Sequence, residues 1–226
     1  MAEVILALDL PGRQPALDLV DRLPGLRWVK VGSVLMTREG AGLIRELVDR
    51  GLAVFLDLKW HDIPHTVRGA VTAARDLGVT LATVHTIGGE AMMAAAAEAA
   101  GPDLHLVGVT VLTSHDPASY ARATGRSAPD LVAESTRLAG EAMRAGLRGV
   151  VCSAHEVGAL RGVVGPAGWL VVPGIRRRGD GVGDQQRTAG PAEAVASGAT
   201  HLVVGRPILE AADPAAALAD FLEAAR

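Results

Sequence analysis

The amino-acid sequence predicts a (β/α)8 barrel that spans residues 1–226 as one domain. Three observations lead to this fold class. The chain has 226 residues, and α/β barrels of about 200–250 residues fold as one unit. Apolar residues make up 49% of the chain, which is enough for a full core and excludes a disordered or fibrous protein. Eight short apolar runs alternate with amphipathic stretches, which is the order that such a barrel requires.

The apolar runs are predicted to be strands of a parallel sheet. Each run is short and continuous, and continuous apolar runs suit strands that are buried on both faces. Gly and Pro are dispersed between the runs rather than gathered into one linker. In chain order, the predicted strands cover residues 4–8, 28–31, 53–58, 81–84, 106–112, 149–152, 169–172 and 202–204.

The stretches between the runs are predicted to be helices, because their apolar residues recur at helical spacing among Ala, Glu and Arg. In the second stretch, Leu43, Ile44, Leu47 and Val48 fall on one stripe, and Gly51 follows as a C-terminal cap. The predicted helices cover residues 15–23, 37–50, 66–77, 89–100, 130–145, 155–161, 191–197 and 214–225.

A doubly wound open sheet is the alternative architecture, because it also alternates strands with helices. Neither a Gly-x-Gly-x-x-Gly motif nor a Walker loop follows the first apolar run. A dinucleotide site or a P-loop nucleotide site is therefore not expected.

Composition and charge exclude several classes of partner. The net charge is −3 and the isoelectric point is near 6.2, so no overall basic field exists to hold nucleic acid or an anionic membrane. Three Trp, one Tyr and two Phe offer few surfaces for base stacking. The single Cys cannot form an internal disulfide, the N-terminus lacks a signal-peptide pattern, and no apolar run reaches the roughly 18 residues of a membrane span. We therefore predict a cytoplasmic protein that acts on a small molecule.

Charged residues follow the predicted strands at the end where (β/α)8 barrels carry their chemistry. Asp57 and Lys59 are two residues apart, so their side chains leave the same face of one strand and are costly to bury unless they pair. Asp9 closes the first predicted strand and Lys30 lies near the end of the second, so together they can complete an alternating row of charges. Opposite charges about 4 Å apart favour the charged forms, which suits a proton donor beside a centre that becomes a carbanion. The alternative is an ion network with a purely structural role.

A second group of residues is typical of a phosphate site. Gly205 and Arg206 follow the last predicted strand, and Pro207 suits the first turn of a helix. The loops after strands seven and eight of such barrels commonly bind phosphate, and arginine adds a bidentate contact. Residues 176–178 are consecutive arginines that open a polar, Gly-rich loop over residues 179–187, which we interpret as a lid over the phosphate. The alternative is a solvated arginine surface.

No metal site is predicted. His61 and His65 are four residues apart, but Pro64 between them disfavours one continuous helix and no third ligand is evident. Cys152 lies inside an apolar run and is interpreted as a buried core thiol.

Residues 57–66, Asp-Leu-Lys-Trp-His-Asp-Ile-Pro-His-Thr, resemble the DxKxxDIPxT signature of the orotidine 5′-phosphate decarboxylase family. The resemblance extends over essentially the whole chain. It departs from the family at His65, where members usually carry Asn, and no chemistry is assigned to that position. The supporting motifs occur in family order at residues 8–9, 29–32, 84–85, 88–89, 109–114, 173–176, 183–185 and 204–208.

This resemblance implies an enzyme that decarboxylates orotidine 5′-monophosphate to UMP and CO2, the last step of de novo pyrimidine nucleotide biosynthesis, without a metal or an organic cofactor. It implies that Lys59 is the proton donor and that Asp57 lies against the substrate carboxylate. It also implies a homodimer with shared active sites, in which Asp62 and Thr66 are delivered to the partner subunit's site. The implied catalytic set is Lys30, Asp57, Lys59 and Asp62; the other implied substrate contacts are Asp9, Ile63, Thr66, Thr113 or Ser114, Pro173, Arg176, Gln185, Gly205 and Arg206.

Two alternatives to this activity remain open. The first is a related barrel enzyme that acts on a sugar phosphate with a divalent metal, because such enzymes share the DxKxxD element. The second is a non-catalytic sensor of UMP or phosphate on the same barrel. The Ile63-Pro64 pair argues against the first alternative, and the complete set of Asp57, Lys59 and Asp62 argues against the second.

Overall fold

A computed structural model of the protein describes residues 1–177 and 189–226, and its strands form a closed barrel. Each strand pairs in parallel with the next one along the chain, and the eighth pairs with the first, with Val4 opposite Leu202. This closure confirms the predicted (β/α)8 barrel and excludes the open sheet. The strands are β1 (Glu3–Ala7), β2 (Trp28–Gly32), β3 (Ala53–Trp60), β4 (Leu81–His85), β5 (His105–Val109), β6 (Gly149–Val151), β7 (Trp169–Val172) and β8 (His201–Val204).

The helices of the described residues surround this barrel and include all eight predicted ones, with their ends displaced by a few residues. Within residues 1–177 and 189–226, no helix is long and apolar enough to cross a lipid bilayer. The helices are α1 (Arg13–Asp21), α2 (Ser33–Asp49), α3 (Pro64–Asp76), α4 (Glu90–Ala100), α5 (Pro117–Thr124), α6 (Leu131–Arg144), α7 (Val157–Val164), α8 (Pro191–Ala196), α9 (Arg206–Leu209) and α10 (Pro214–Ala224).

The fifth strand is shorter than predicted, because the prediction of strand over residues 106–112 is wrong at its C-terminal end. Strand β5 ends at Val109. Beyond it, the Thr110 hydroxyl donates a hydrogen bond to the Val151 carbonyl at 2.9 Å, and Val111 packs in a small cluster with Tyr120. The apolar character of these last residues therefore reflects packing beneath a loop rather than strand pairing.

Helix α5 is absent from the sequence prediction, although its start carries a recognisable signal. Asp116 accepts a hydrogen bond from the Ser119 N–H at 2.6 Å, and the Ser119 hydroxyl accepts one from the Asp116 N–H at 3.0 Å. Pro117 occupies the first turn. This reciprocal capping satisfies two backbone donors that the first turn leaves unpaired, and Pro suits the same position.

The core has two layers, because side chains alternate between the two faces of each strand. Ile5, Phe55 and Leu81 belong to the cluster inside the barrel. Leu6 and Val54 belong to the larger cluster between the strands and the helices. The positions that continue the inner face beyond Phe55 toward the C-terminal end of β3 are Asp57 and Lys59, so charges replace apolar side chains there.

The N-terminal end of the barrel is closed by aromatic rings at the first positions of four strands. The His201 ring lies 4.3 Å from the Trp169 ring and 5.4 Å from the Trp28 ring, measured between centroids, and His105 lies 4.6 Å from Trp169. Burial of His201, together with the charge of His105, lowers the pKa of His201 to about 4. His201 is therefore a neutral member of the core near neutral pH.

This neutral histidine makes the stability of the fold depend on pH. An unfolded histidine takes up a proton near pH 6.5, whereas folded His201 does so only near pH 4, so protons favour the unfolded chain between these values. The contribution of neutral His201 to the free energy of unfolding is complete above pH 6.5 and is lost as the pH falls to about 4. This contribution is on the order of 3 kcal/mol. Urea unfolding between pH 7.5 and 4.5 measures it.

The matched variants are His201→Gln and His155→Gln, since His155 lies on the surface. His201→Gln is expected to show a shallower decrease of the free energy of unfolding with acidification. A residual slope remains because the pKa of His85 is also lowered to about 4, first by burial and then by the charges of His61 and Lys59. Equal slopes for the wild type and His201→Gln would contradict this account.

Candidate active site

A cavity of about 310 Å³ opens at the C-terminal end of the barrel. Its lining includes the inner-face residues Ala7, Phe55, Val171 and Val203, which form an apolar surface. Charged and polar side chains from the strand ends and the following loops complete the lining. A concave, largely apolar site with a few polar groups of this kind suits a small ligand.

The predicted row of alternating charges is present in this cavity. Lys30 Nζ lies 3.3 Å from Asp9 Oδ1 and 3.7 Å from Asp57 Oδ2, and Lys59 Nζ lies 2.8 Å from Asp57 Oδ1. Asp9, Lys30, Asp57 and Lys59 are hereafter called the charge row. The side chains of Lys30 and Asp57 are 12% and 14% exposed, so the centre of the row is shielded from water.

Strand register explains how the charge row assembles. Ala7 pairs with Lys30 in the β1–β2 ladder, and Lys30 pairs with Phe55 in the β2–β3 ladder. Side chains of adjacent strands that face the interior therefore meet at successive levels of the barrel. Gly32 leaves room for this meeting, because a Cβ atom at that position would lie 3.2 Å from Lys30 Nζ.

The Asp57 carboxylate is held in its ionised form. Burial by itself raises the pKa of Asp57, but the charges of Lys30 and Lys59 and the hydrogen bonds from Lys59 and Thr83 outweigh it, so the pKa lies below its ordinary value. A buried carboxylate with two ammonium neighbours is expensive to leave unpaired, so the two lysines and Asp57 depend on one another.

Lys59 reaches Asp57 through an unusual backbone conformation. Its φ angle is +52°, in the left-handed region that residues with a Cβ atom seldom adopt. The pairing of β3 with β4 also shifts between Leu56 and Trp60, which marks a bulge. The prediction that Asp57 and Lys59 share a face is confirmed by their contact, but a bulged strand end, rather than a regular strand, presents the ammonium.

Two arginines that were predicted to serve the phosphate line the same cavity. Arg206 begins helix α9 directly after Gly205, with Pro207 in the first turn as predicted. Arg176 follows β7 and also lines the cavity, with its guanidinium donating to the Ile175 carbonyl at 2.9 Å. The two cationic groups and the charge row thus share one cavity.

Arg177, the second of the three consecutive arginines, does not line the cavity. Arg177 pairs with Asp220 of α10 at 3.1 Å, and its guanidinium lies 5.4 Å from the centre of the Phe221 ring. It therefore packs on the outer helix, because a buried aromatic face and a carboxylate lie within its reach.

The predicted lid lies outside the described residues. Residues 178–188, which include Arg178 and Gln185, are not described.

The loop after β5 and the residues after β7 add further groups to the cavity. Thr113 lines it whereas Ser114 is exposed, which favours Thr113 at the position that the sequence left open. Pro173 lines it as well. Val111 and Cys152 also line it, although sequence reasoning assigned one to a strand and the other to the core. Cys152 is buried as predicted. Val111 and Cys152 are both apolar, so the sequence does not show whether they line a cavity or belong to the core.

Asp62, Ile63 and Thr66 do not line this cavity in their own chain. Residues 61–66, which connect β3 to α3 and form the first turn of α3, are all exposed. Asp62 Oδ1 accepts a hydrogen bond from the Ile63 N–H at 2.6 Å. Three of the predicted contacts therefore lie on the surface of the chain and outside its cavity.

Among the described residues, no group of three or more His, Cys, Asp and Glu side chains is arranged to hold a metal ion. His61 lies against His85, with 5.7 Å between the ring centroids.

A family model described as the Orotidine 5′-phosphate decarboxylase / HUMPS family matches residues 2–221. The chain belongs to this family. The orotidine 5′-phosphate decarboxylase of Halorhodospira halophila is 51% identical over 221 residues, covering 96% of this chain and 92% of that protein. The orotidine 5′-phosphate decarboxylase of Alkalilimnicola ehrlichii is 50% identical over 222 residues, covering 96% and 94%. The crystal structure of the orotidine 5′-phosphate decarboxylase from Lactobacillus acidophilus matches with a TM-score of 0.88 at 34% identity and covers 100% of both chains.

This member of the orotidine 5′-phosphate decarboxylase / HUMPS family uses lysine very sparingly. Its 22 Lys and Arg residues include only two lysines, Lys30 and Lys59, and both belong to the charge row. Arginine stays protonated in proteins, whereas the lysine ammonium is a compact charge that can release a proton. The scarcity of lysine is thus a signal in the sequence, independent of the family motif, that marks the same two residues.

Proposed function

We propose that this protein decarboxylates orotidine 5′-monophosphate to UMP and CO2 in pyrimidine nucleotide biosynthesis. The observation that carries the proposal is the contact between Lys59 Nζ and the buried carboxylate of Asp57, at 2.8 Å from Oδ1, inside a cavity that also contains Arg176 and Arg206. The names of the curated relatives support this substrate over the sugar phosphates that other enzymes with the DxKxxD element use.

Lys59 is assigned as the proton donor. The bond between C6 of the pyrimidine and the carboxylate carbon breaks, the carboxylate leaves as CO2, and the electron pair remains on C6. The Lys59 ammonium stabilises this developing carbanion electrostatically and then transfers one proton to C6. A fixed ammonium supplies what a metal or an organic electron sink supplies in other decarboxylases, so we propose that no cofactor takes part.

Asp57 is assigned to the place beside the substrate carboxylate. Its pKa lies below the ordinary value, because Lys30 and Lys59 offset the effect of burial, so it presents a negative charge there. Repulsion between two carboxylates opposes the ground state and is relieved as CO2 departs. Binding energy from the remote phosphate offsets this repulsion.

The remaining contacts are assigned by the part of the substrate that they bind. The ribose hydroxyls are assigned to Asp9 and Lys30, and the pyrimidine is assigned to Thr113 and Pro173.

We also propose a homodimer with shared active sites. A second pocket of about 510 Å³ adjoins the cavity and is lined by the whole charge row together with Val34 of α2. Val34 is 66% exposed, and Ile63 and Ile87 are further exposed apolar side chains, at 64% and 50%. Exposed apolar side chains, one of them at a pocket that reaches catalytic groups, suit a protein interface. In this proposal, Asp62, Ile63 and Thr66 of the partner subunit fill the second pocket.

The experiment that tests the activity is the loss of orotidine 5′-monophosphate absorbance with purified protein in the presence of EDTA. Activity that survives the chelator supports the proposal. Activity on a sugar phosphate that requires a divalent metal would instead support the metal-dependent alternative. Tight binding of UMP with no turnover would support a sensor. The cytoplasmic location stays a prediction.

Replacing Arg206 with alanine is expected to weaken the binding of UMP about 10- to 100-fold, because a charged hydrogen bond to the phosphate is lost. Besides Arg206, the proposed phosphate and lid contacts are Gly205, Arg176 and Gln185. Calorimetric titration with UMP and with uridine measures the effect. Affinity for uridine is expected to stay unchanged, and an equal loss for both ligands contradicts the phosphate role.

Arg177→Ala is the matched control for this prediction. Arg177 neighbours Arg176 in the sequence but pairs with Asp220, so its removal deletes the same charge outside the cavity. UMP affinity within about twofold of the wild type is expected for this variant.

A further inference from the structure

Thr83 faces the bulge of β3 from the middle of β4 and is completely buried. In the β3–β4 ladder, Leu56 pairs with Ala82 and Trp60 pairs with Val84. Three residues of β3, including Asp57 and Lys59, therefore stand opposite Thr83 alone. Thr83 alternates with the inner-face residue Leu81, so its side chain points into the barrel.

The Thr83 hydroxyl bonds to both residues at the centre of the proposed reaction. It accepts a hydrogen bond from the Lys59 backbone N–H at 2.8 Å and donates one to Asp57 Oδ1 at 3.1 Å. The same Asp57 oxygen accepts the hydrogen bond from Lys59 Nζ at 2.8 Å. One hydroxyl therefore joins the backbone of the lysine to the carboxylate that its ammonium contacts.

A hydroxyl is the group that this position requires. The bulge withdraws the Lys59 N–H from regular strand pairing, and a buried N–H without a partner is costly. The left-handed conformation of Lys59 is also unfavourable for a residue with a Cβ atom, so neighbouring groups must hold it. Side chains that accept and donate at one atom are hydroxyls, and among them threonine also fills an apolar core with its methyl group.

We propose that Thr83 is a positioning residue for the decarboxylation. Its hydroxyl holds Lys59 in the left-handed bulge and fixes the orientation of the Asp57 carboxylate, so that the ammonium is directed at the reacting carbon. The kinetic part of this inference rests on the proposed function, whereas the hydrogen bond to the Lys59 N–H is a property of the folded chain that is measured without turnover.

The test compares Thr83→Val, Thr83→Ser and a control at a second threonine. Thr83→Val keeps the shape of the side chain and removes the hydroxyl, whereas Thr83→Ser keeps the hydroxyl. Thr86→Val is the control, because Thr86 is equally buried and its hydroxyl donates to the Val109 carbonyl at 2.7 Å, away from Asp57 and Lys59. Circular dichroism and thermal unfolding establish that each variant is folded.

Thr83→Val is expected to lower kcat for orotidine 5′-monophosphate about 10²-fold, because misplacement of a reacting group by about 1 Å has effects of this size. KM is expected to stay within about threefold, since Thr83 does not line the cavity. Thr83→Ser is expected to recover most of kcat, and Thr86→Val to retain it. A kcat for Thr83→Val within threefold of the wild type, or equal losses for the valine and serine variants, overturns the proposal.

Hydrogen exchange at the Lys59 amide tests the contact independently of activity. Protein labelled with ¹⁵N-lysine contains two labelled residues, Lys30 and Lys59, so Lys30 is an internal reference. Exchange of the Lys59 amide is expected to be at least tenfold faster in Thr83→Val, with the Lys30 amide unchanged. Equal protection of the Lys59 amide in both proteins overturns the proposal even when kcat falls. If the wild type does not turn over the nucleotide, the proposed function fails while this measurement still decides the contact.

A second pair of variants covers the case in which Thr83→Val does not fold. Thr83→Ser and Thr83→Cys have nearly the same size, but a thiol is a poor donor and a poor acceptor. Thr83→Cys is expected to have a kcat at least tenfold below that of Thr83→Ser and faster exchange at the Lys59 amide. Equal kcat values and equal exchange rates in this pair count against the proposal.

Discussion

Replacing Lys59 with alanine is expected to lower kcat for orotidine 5′-monophosphate by at least about 10³-fold while the barrel still folds. The variant loses both the charge that stabilises the carbanion and the proton that completes the reaction. Folding is expected to persist because Asp57 keeps Lys30 at 3.7 Å and the hydrogen bond from Thr83 at 3.1 Å. Steady-state kinetics, with thermal unfolding as the check on folding, measure the outcome.

Lys59→Arg separates the proton from the charge. Arginine retains a positive charge but does not release its proton in proteins. Both variants are therefore expected to be inactive. Near-normal turnover by Lys59→Ala would refute the donor assignment, and near-normal turnover by Lys59→Arg would show that a positive charge alone suffices.

Mixing inactive Lys59→Ala chains with inactive Asp62→Ala chains is expected to restore activity. In a heterodimer, one site combines the intact Lys59 of one chain with the intact Asp62 of the other, whereas the second site carries both substitutions. Random exchange in a twofold dimer gives about one quarter of the wild-type number of sites. The expectation follows from the exposed position of residues 61–66 and from the second pocket beside the charge row.

The matched negative control is a mixture of Lys59→Ala and Asp57→Ala chains. Asp57 and Lys59 line the same cavity of one chain, so no heterodimer of these two variants contains a complete site. Recovery in the first mixture but not in the second supports shared sites. Absence of recovery in the first mixture, after subunit exchange has been verified by mass spectrometry of tagged chains, counts against them.

The charge row was predictable because two simple rules act on it. Residues two apart in a strand share a face, and functional groups of a (β/α)8 barrel gather at the C-terminal strand ends. These rules bring Asp57 and Lys59 together with Lys30 and Asp9, and the observed contacts confirm the prediction. The same rules do not reveal the left-handed backbone of Lys59 or the register shift opposite Thr83, because both arise only when β3 pairs with β4.

Arg177 and Val111 show where sequence patterns mislead. Arg177 stands beside Arg176 in the sequence, yet Asp220 and Phe221 of a distant helix draw it away from the cavity. Val111 continues an apolar run, yet it leaves the strand to pack with Tyr120. The neighbours of Arg177 lie far along the chain, so local composition carries no trace of them. Tyr120 is only nine residues beyond Val111, but it belongs to helix α5, which the sequence prediction lacked.

The sequence by itself determined the alternation of strands and helices and the resemblance to the orotidine 5′-phosphate decarboxylase family. It also determined which charged residues lie at the C-terminal end of the barrel. These features follow from local periodicity and from short motifs, which are written in consecutive residues. The tertiary structure decided how the charges meet, which arginines face the cavity, and that one buried hydroxyl joins Lys59 to Asp57. Those features depend on contacts between strands and helices that are distant in the chain, and such contacts exist only in the closed barrel.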